Sequence, residues 1–348
     1  SMYWLTGYDT FGFCFFQCLY LGADGRLALI TRAPDLRQAQ RTSIIEDIRV
    51  WTDAEGAHPA GQLRDMLLSL GARDRRLGIE ANAYGLSHAL GRQVEAALDG
   101  VCRLDDASGL IDALRVIKSP AELAYVRQAG LLADAALEAG LSVIRPGADE
   151  AAILSSMQGA VFIGGGDYPG NEFIIGSGSD AILCRYKSGR RALSADDQLT
   201  LEFAGVYRHY HAALMRTVVI GTPRPAHRRM SDACIEALVA CEAVLRPGHT
   251  AGEVFAAHAS VLDAHGMAAH RLNACGYSLG AKFTPSWMDA PMFYRDNSFA
   301  LGRDMVFFLH MVLMDSDSDT AMTLGRTYVL TDGAPQPLSA APIELIRR

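Results

Sequence analysis

The most constraining feature of this sequence is an internal repeat in its second half. The tripeptide Arg-Pro-Gly stands at residues 145–147 and again at residues 246–248. Each copy follows roughly 20 residues of helical pattern and leads into a second helical stretch. Strand-like segments come after each helical pair. The pattern predicts an α+β domain with a pseudo-twofold repeat over residues 114–348.

The segment 198–204 alternates like a β-strand that presents two different faces. Leu201 and Phe203 point to one side of this strand, and Glu202 points to the other. The next strand is predicted over residues 210–220, where His211 is two residues from Ala213 and therefore lies on the same face. Strand parity thus identifies the ionisable side chains that share one surface of the predicted sheet.

Residues 1–113 alternate short strand-like and helix-like segments, beginning with a β-rich stretch at 11–21. This alternation predicts a smaller α/β domain with a partly parallel sheet. The domain boundary is predicted just before a strong helix start, in which Ser119 is the N-cap, Pro120 fits the first turn and Glu122 completes a capping box.

Composition excludes several classes of function. The chain has 348 residues, a formal net charge of −7 and no conspicuous Lys/Arg-rich run, which argues against nucleic acid or anionic membranes as partners. No apolar stretch reaches the ~20 residues of a transmembrane helix. Its 7 cysteines are scattered without a C-x-x-C pair, as is typical of reduced thiols in a cytoplasmic protein.

Motifs at four places occur together in one known family. They are the early segment 2–9, the junction 114–123, the pair Arg216-Thr217 and the glycine turn 276–280. Together they resemble the pita-bread family of prolidase, aminopeptidase P, methionine aminopeptidase and creatinase. The resemblance implies a pita-bread catalytic domain after a creatinase-type N-terminal domain, and a homodimer. Because the family's early motif normally follows some tens of residues, we expect an N-terminal truncation.

The resemblance also maps the family's metal-ligand positions onto this chain. The residues that stand at those five positions are Glu202, Ala213, Tyr277, His310 and Gly325. Two divalent ions need several hard oxygen donors, typically carboxylates, and this set contains a single carboxylate. We therefore expect no metal and no other cofactor.

The resemblance implies that two relatives, creatinase and ectoine hydrolase, work without a metal. The stretches 201–214 and 275–280 look closer to the ectoine-hydrolase-like branch, and Arg185 stands where creatinase has its general-base histidine, which argues against creatine. We expect a hydrolase of a C–N bond in a small amide, amidine or cyclic compatible-solute substrate. Two alternatives stay open: an Xaa-Pro dipeptidase or aminopeptidase P-type metallopeptidase with an atypical site, and a non-catalytic pseudoenzyme that binds a small ligand.

Four side chains are candidates for the chemistry. Glu202 is expected to act as general base or nucleophile, because a semi-enclosed pocket raises the pKa of a carboxyl group. His211 would orient Glu202, and Tyr277 and His310 would polarise the scissile group. The alternatives are structural: Glu202 anchors Arg216, and the other three fill space or make core hydrogen bonds.

Three further side chains are candidates for substrate binding. Arg185 would hold a substrate carboxylate in a bidentate pair, unless it pairs with Glu202 across the site. Trp287 and Tyr294 lie in a Pro-flanked loop and would wall the pocket, stacking on a flat or cationic ligand, unless they only pack the loop.

Overall fold

The protein divides into two compact units, Ser1–Arg115 and Val116–Arg348. A computed structural model describes residues 1–185 and 190–348. Across these residues, no helix has both the length and the apolarity to cross a lipid bilayer.

The first unit is an α/β domain with a partly parallel sheet. Strand β2 pairs antiparallel with β1 and parallel with β3, while β4 and β5 form a separate parallel pair. The strands are β1 (Cys18–Leu21), β2 (Leu27–Arg32), β3 (Asp47–Trp51), β4 (Arg76–Ile79) and β5 (Arg103–Asp106). The helices are α1 (Met2–Thr6), α2 (Leu36–Thr42), α3 (Pro59–Ser69), α4 (His88–Leu98) and α5 (Leu110–Arg115).

The β-rich stretch at 11–21 forms a shorter strand than its composition predicts. Only Cys18–Leu21 is strand, and Gly12–Cys14 is one turn of 3₁₀-helix. The backbone N–H of Gly12 donates to Thr10 Oγ1 at 2.8 Å, a local bond that competes with pairing to another strand. Local hydrogen bonding therefore overrides β propensity at this point.

The second unit contains the repeat as two helical pairs. The first pair is α6 (Pro120–Val143) and α7 (Glu150–Ile163), and the second is α8 (Pro225–Val244) and α9 (Ala251–Ala264). An Arg-Pro-Gly turn joins the helices of each pair. The φ angles of Gly147 and Gly248 are 79° and 92°, in the left-handed region that residues with a Cβ rarely adopt. The glycine recurs because both turns need this backbone.

One sheet runs through both halves of the repeat. Its strands lie in the order β10, β9, β11, β12, β8, β7, β6, with β13 paired to β12 and β14 paired to β8. Their bounds are β6 (Ile174–Ser177), β7 (Asp197–Tyr207), β8 (Tyr210–Ile220), β9 (Ala274–Ser278), β10 (Asp289–Tyr294), β11 (Val306–Asp315), β12 (Thr320–Val329), β13 (Gln336–Pro337) and β14 (Ile346–Arg347). The predicted α+β architecture with a pseudo-twofold repeat is confirmed.

The two faces of this sheet have different roles. Phe307 and Leu309 of β11 belong to the apolar core formed with α8 and α9. At Gly205 of β7, an added Cβ would lie 1.9 Å from the Ala129 carbonyl oxygen of α6, so the helix packs directly against the strand backbone. The alternate residues, such as His310, line a cavity on the other face. Helices thus cover one face and leave the other for a site.

Candidate active site

A cavity of about 170 Å³ lies on the sheet face opposite the helices. Four groups that can take part in proton chemistry or ion pairing line it: Glu202, Tyr277, His310 and Arg185. The remaining wall is mainly apolar, with Ile174, Ala181, Leu183, Cys184, Thr200, Leu201, Met215, Leu272, Ala274, Met288, Met292, Val312, Met314 and Thr323. The cavity is therefore a concave apolar site with a few polar groups, as small-molecule sites commonly are.

Glu202 of β7 is the carboxylate of this cavity. Burial among apolar side chains raises its pKa to about 7, against the opposing effects of the Arg185 charge and a hydrogen bond from Tyr277. Loss of hydration disfavours the charged form more than these two neighbours favour it. A carboxyl group that titrates near neutrality can exchange a proton with water or substrate at physiological pH.

The Tyr277 hydroxyl is held by the buried indole of Trp287. Trp287 Nε1 donates to Tyr277 Oη at 2.9 Å, and Tyr277 Oη donates to Glu202 Oε1 across 3.5 Å. An indole N–H only donates, so it occupies a lone pair of Tyr277 and leaves the phenol proton free to point elsewhere. Burial and the charge of Glu202 keep the pKa of Tyr277 well above its usual value. Tyr277 therefore stays protonated as a donor.

His310 of β11 brings a neutral imidazole to the cavity. Burial lowers its pKa to about 3, and the nearby His258 adds to the effect. Its Nδ1 is buried and has no hydrogen-bond partner among the described residues. An unpaired buried nitrogen costs free energy. This nitrogen has almost no accessible surface, so a ligand in the cavity meets another part of the imidazole.

His211 lies outside the cavity, although it is on the predicted face of β8. In the β7–β8 pairing, Met215 is opposite Glu202 and His211 is opposite Val206. Four residues along a strand amount to about 13 Å. His211 Nε2 accepts the Gly170 N–H at 2.8 Å, and Nδ1 lies 3.4 Å from the Gly280 carbonyl oxygen. Both ring nitrogens are thus engaged with backbone, and burial lowers the pKa of His211 to about 3.

The three predicted substrate-binding residues fall in different places. Arg185 lines the cavity, and its charge lowers the pKa of Glu202. Trp287 is fully buried and reaches the site through its bond to Tyr277. Tyr294 lies on β10 with 50% of its surface exposed and does not line the cavity. Of the three, Arg185 is the residue placed to meet a ligand in this cavity.

Arg216 does not pair with Glu202, so the structural alternative in which Glu202 anchors Arg216 is wrong. The Arg216 guanidinium donates to the carbonyl oxygens of Met215, Gly325, Ala341 and Pro342 instead. These bonds tie β8 to β12 and to the C-terminal segment. Glu202 is thereby left to the cavity.

The methionines of the cavity wall and the role of Phe308 were not predicted from the sequence. Met314 shares the His310 face of β11 by strand parity, and Met215 is opposite Glu202, so alternation along known strands was a usable signal for both. Phe308 packs its ring 5.4 Å from Tyr277 and 5.7 Å from His310, measured between centroids.

The donors present do not fit the two metal ions that the fold implies. A Cβ built on Gly325 would lie 2.5 Å from Phe308 Cζ, so the Phe308 ring fills the space where a ligand side chain would start. Ala213 offers no donor, and Glu202 is the only carboxylate among the described residues of the lining. In the described chain, no three His, Cys, Asp or Glu side chains are grouped to hold a metal. These residues do not supply the hard oxygen donors that divalent ions require.

Comparisons with known proteins match both units. The model of metallopeptidase family M24 matches residues 124–332, and the model of the creatinase/prolidase N-terminal domain matches residues 1–117. The ectoine hydrolase of Halomonas elongata is 27% identical over 99% of this chain and 90% of its own length. The hydrolase/peptidase y4tM of Sinorhizobium fredii is also 27% identical, over 99% of this chain and 89% of its own.

Solved structures show the same fold. The prolidase of Thermococcus sibiricus superimposes with a TM-score of 0.89 at 19% identity, covering 100% of this chain and 92% of that one. The Xaa-Pro dipeptidase of Bacillus anthracis gives a TM-score of 0.85 at 20% identity, with 100% and 92% coverage. At these identities the likeness concerns the fold alone.

Proposed function

This chain belongs to metallopeptidase family M24 and carries a creatinase/prolidase N-terminal domain, and on that premise we propose that it is a metal-independent hydrolase. It cleaves a C–N bond in a small non-peptide substrate of amide, amidine or cyclic type. The observation that carries the proposal is Glu202, a carboxylate with a pKa near 7 in a cavity whose described residues form no metal-binding donor set.

In the proposed reaction Glu202 is the general base. The ionised carboxylate takes a proton from water, and the oxygen of that water bonds to the amide or amidine carbon. Tyr277 donates its hydrogen bond to the oxygen or nitrogen on which negative charge develops. The protonated Glu202 then returns the proton to the leaving nitrogen as the C–N bond breaks. Electrons and protons balance without a further reactant.

The other polar side chains bind and position. The His310 imidazole polarises the scissile group from the cavity wall, and Arg185 pairs with a substrate carboxylate. His211 takes no part in proton transfer, because backbone groups occupy both its nitrogens. It holds Gly170 and Gly280 together and so fixes the loops beside the site.

Turnover of small C–N compounds, with ectoine among them, tests the proposal. We expect kcat/KM to be unchanged after treatment with a chelator and to rise with pH through about 7, as Glu202 ionises. Glu202→Gln is expected to remove turnover while preserving the fold. Turnover that appears only after a divalent ion is added overturns the metal-independent mechanism and favours the Xaa-Pro dipeptidase alternative. Absence of turnover across the screen favours the pseudoenzyme.

Trp287→Phe tests the orientation of Tyr277. The substitution removes the indole N–H, so the phenol loses its fixed direction. We expect kcat to fall about tenfold, less than the roughly 100- to 1000-fold loss for removing one oxyanion donor outright, with little change in KM. Tyr277→Phe is the matched comparison and should lose more. Equal KM increases in both variants with kcat preserved would contradict a role for Tyr277 in the transition state.

The homodimer and the cytoplasmic location stay predictions. Light scattering coupled to gel filtration tests the first, since a monomeric mass contradicts it. Cell fractionation tests the second.

A further inference from the structure

Three rings meet beside the cavity, and each packs against the other two. The ring centroids of Tyr277 and Phe308 are 5.4 Å apart, and that of His310 lies 5.7 Å from both. Tilted ring pairs at such separations are favourable. Phe308 of β11 is directly opposite Tyr277 of β9 and two residues from His310, so strand pairing produces the cluster. Tyr277 and His310 line the cavity, whereas Phe308 is fully buried and supports both rings from outside the lining.

Neither covalent geometry nor hydrogen bonding fixes the planes of the two cavity rings. The torsion that sets a ring plane is soft in both tyrosine and histidine. The Trp287 indole bonds Tyr277 at Oη, which lies on the rotation axis of the ring, so this bond holds the oxygen and not the plane. His310 Nδ1 has no partner among the described residues. Packing therefore has to set both planes, and Phe308 is the ring that both share.

The plane of Tyr277 determines where its proton points. The hydroxyl hydrogen of a phenol lies in the ring plane, because an oxygen lone pair is conjugated with the ring. A rotated ring therefore turns the O–H away from Glu202 Oε1, which lies 3.5 Å from Oη, and from a ligand beside it. The plane of His310 likewise determines which edge of the imidazole faces the cavity. Such errors reduce rates strongly, since a misplacement of ~1 Å can cost about 100-fold.

Glycine at position 325 gives the Phe308 ring its space. Gly325 is opposite His310 in the pairing of β11 with β12. A Cβ at this position would lie 2.5 Å from Phe308 Cζ and 2.7 Å from Phe308 Cε2, closer than packed atoms approach. The backbone of Gly325 is not left-handed, so the neighbouring ring and not the backbone conformation explains a glycine here. A larger residue would displace the ring on which Tyr277 and His310 rest.

We propose that Phe308 is a positioning residue of the site: its ring holds Tyr277 and His310 in the planes that direct them at the substrate, and Gly325 leaves the space that this ring needs. The inference rests on the proposed hydrolase function and adds to it a residue that acts only through its neighbours. The same ring that leaves no space for a ligand side chain at Gly325 thus serves the metal-free site.

Hydrogen exchange at the Trp287 indole tests the inference without turnover. The chain has 3 tryptophans, so the Nε1–H of Trp287 is readily assigned in a ¹⁵N NMR spectrum by comparison with Trp287→Phe. Phe308→Leu should speed its exchange about tenfold, because the acceptor, Tyr277 Oη, is no longer held. Trp51, whose Nε1 donates to the Phe16 carbonyl oxygen at 2.8 Å in the first unit, is the internal reference and should not change.

Phe307→Leu is the matched control. Phe307 is next to Phe308 on β11 and equally buried, but it faces the helix-side core. Both variants should lower the urea midpoint of unfolding, whereas the Trp287 signal should change in Phe308→Leu alone. Equal acceleration in the two variants, or none in either, would overturn the inference.

Gly325→Ala moves the ring without removing it and should also speed the Trp287 exchange. In the double variant with Phe308→Leu, the shorter side chain makes room for the new methyl, so the two effects on the urea midpoint should be less than additive. Additive effects would show that Phe308 is not the neighbour that requires a glycine at position 325.

Steady-state kinetics separate this inference from the proposed function. On any C–N compound that the native enzyme hydrolyses, Phe308→Leu should lower kcat about ten- to a hundredfold with little change in KM, and Phe307→Leu should leave both near native. A changed Trp287 signal with unchanged kcat would overturn the positioning role and leave the hydrolase. If no compound is hydrolysed, the proposed function fails, while a Trp287 change confined to Phe308→Leu still supports Phe308 as the residue that holds Tyr277.

Discussion

Glu202→Gln should change the pH dependence of stability in a defined direction. The pKa of Glu202 is raised from 4.5 to about 7 on folding, so the folded protein holds this proton more tightly than the unfolded chain does. Well below pH 4.5 the Glu202 carboxyl is protonated in both the folded and the unfolded protein, so its ionisation does not affect the free energy of unfolding. As pH rises from there through about 7, the native protein loses stability relative to the Glu202→Gln variant, because only the native carboxyl must be ionised while buried. Above that range the difference is constant.

The size of this effect follows from the shift. About 2.5 pH units at about 1.4 kcal/mol each give an upper bound of about 3–4 kcal/mol. The cavity opens to solvent, so water reduces the penalty, and the expected change is about 1–3 kcal/mol in favour of Glu202→Gln above neutral pH. Urea unfolding of both proteins at intervals from about pH 5 to about pH 9 measures it.

Asp106→Asn is the control for this measurement. Asp106 is exposed, and hydrogen bonds from Ser108 lower its pKa, so it is ionised throughout the range. The stability difference between this variant and the native protein should be the same at every pH. If the Glu202→Gln difference is equally flat, the carboxyl of Glu202 is not raised toward neutrality, and its role as a base near pH 7 is refuted.

Two further predictions concern the neighbours of the site. Gly325→Ala should destabilise the protein by about 1–3 kcal/mol in urea unfolding, because the new methyl meets Phe308. Gly159→Ala, which meets nothing within 4 Å, should cost nothing, and equal effects of the two would contradict the packing at Gly325. Arg185→Gln should raise the pKa of Glu202 further, since an attractive charge is lost. Carboxyl ¹³C NMR titration measures the pKa of Glu202 in both proteins. An unchanged or lower pKa in the variant would show that the Arg185 charge does not act on Glu202.

Strand parity correctly predicted which face of the sheet the candidate side chains occupy, but it did not predict how far apart they lie along the strands. It placed Glu202 and His211 on one surface, and the pairing of β7 with β8 agrees. Parity carried no information on the distance between Glu202 and His211, because every second residue of a strand lies on the same face wherever it is along the strand. Register then separated the two side chains by four residues. His211 became a structural residue and Met215, unnoticed in the sequence, came to face Glu202.

The burial of individual side chains could not be predicted from the sequence either. Trp287 looked like a pocket wall because it follows a glycine turn, yet it lies behind Tyr277 and acts through one hydrogen bond. Tyr294 looked equivalent but is half exposed. Nothing local distinguishes these two aromatic residues, since the difference arises from the segments distant in sequence that pack around each ring.

The architecture and the set of chemically active side chains can both be predicted from local sequence. The repeated Arg-Pro-Gly turns and the capped helix at Ser119 specify the pseudo-twofold fold, because turn geometry and helix capping are local properties. The roles of those side chains depend on tertiary packing. It set the ring of Phe308 in the space beside Gly325 and withdrew water from Glu202. Packing and desolvation are sums over residues distant in sequence, so no short segment contains them.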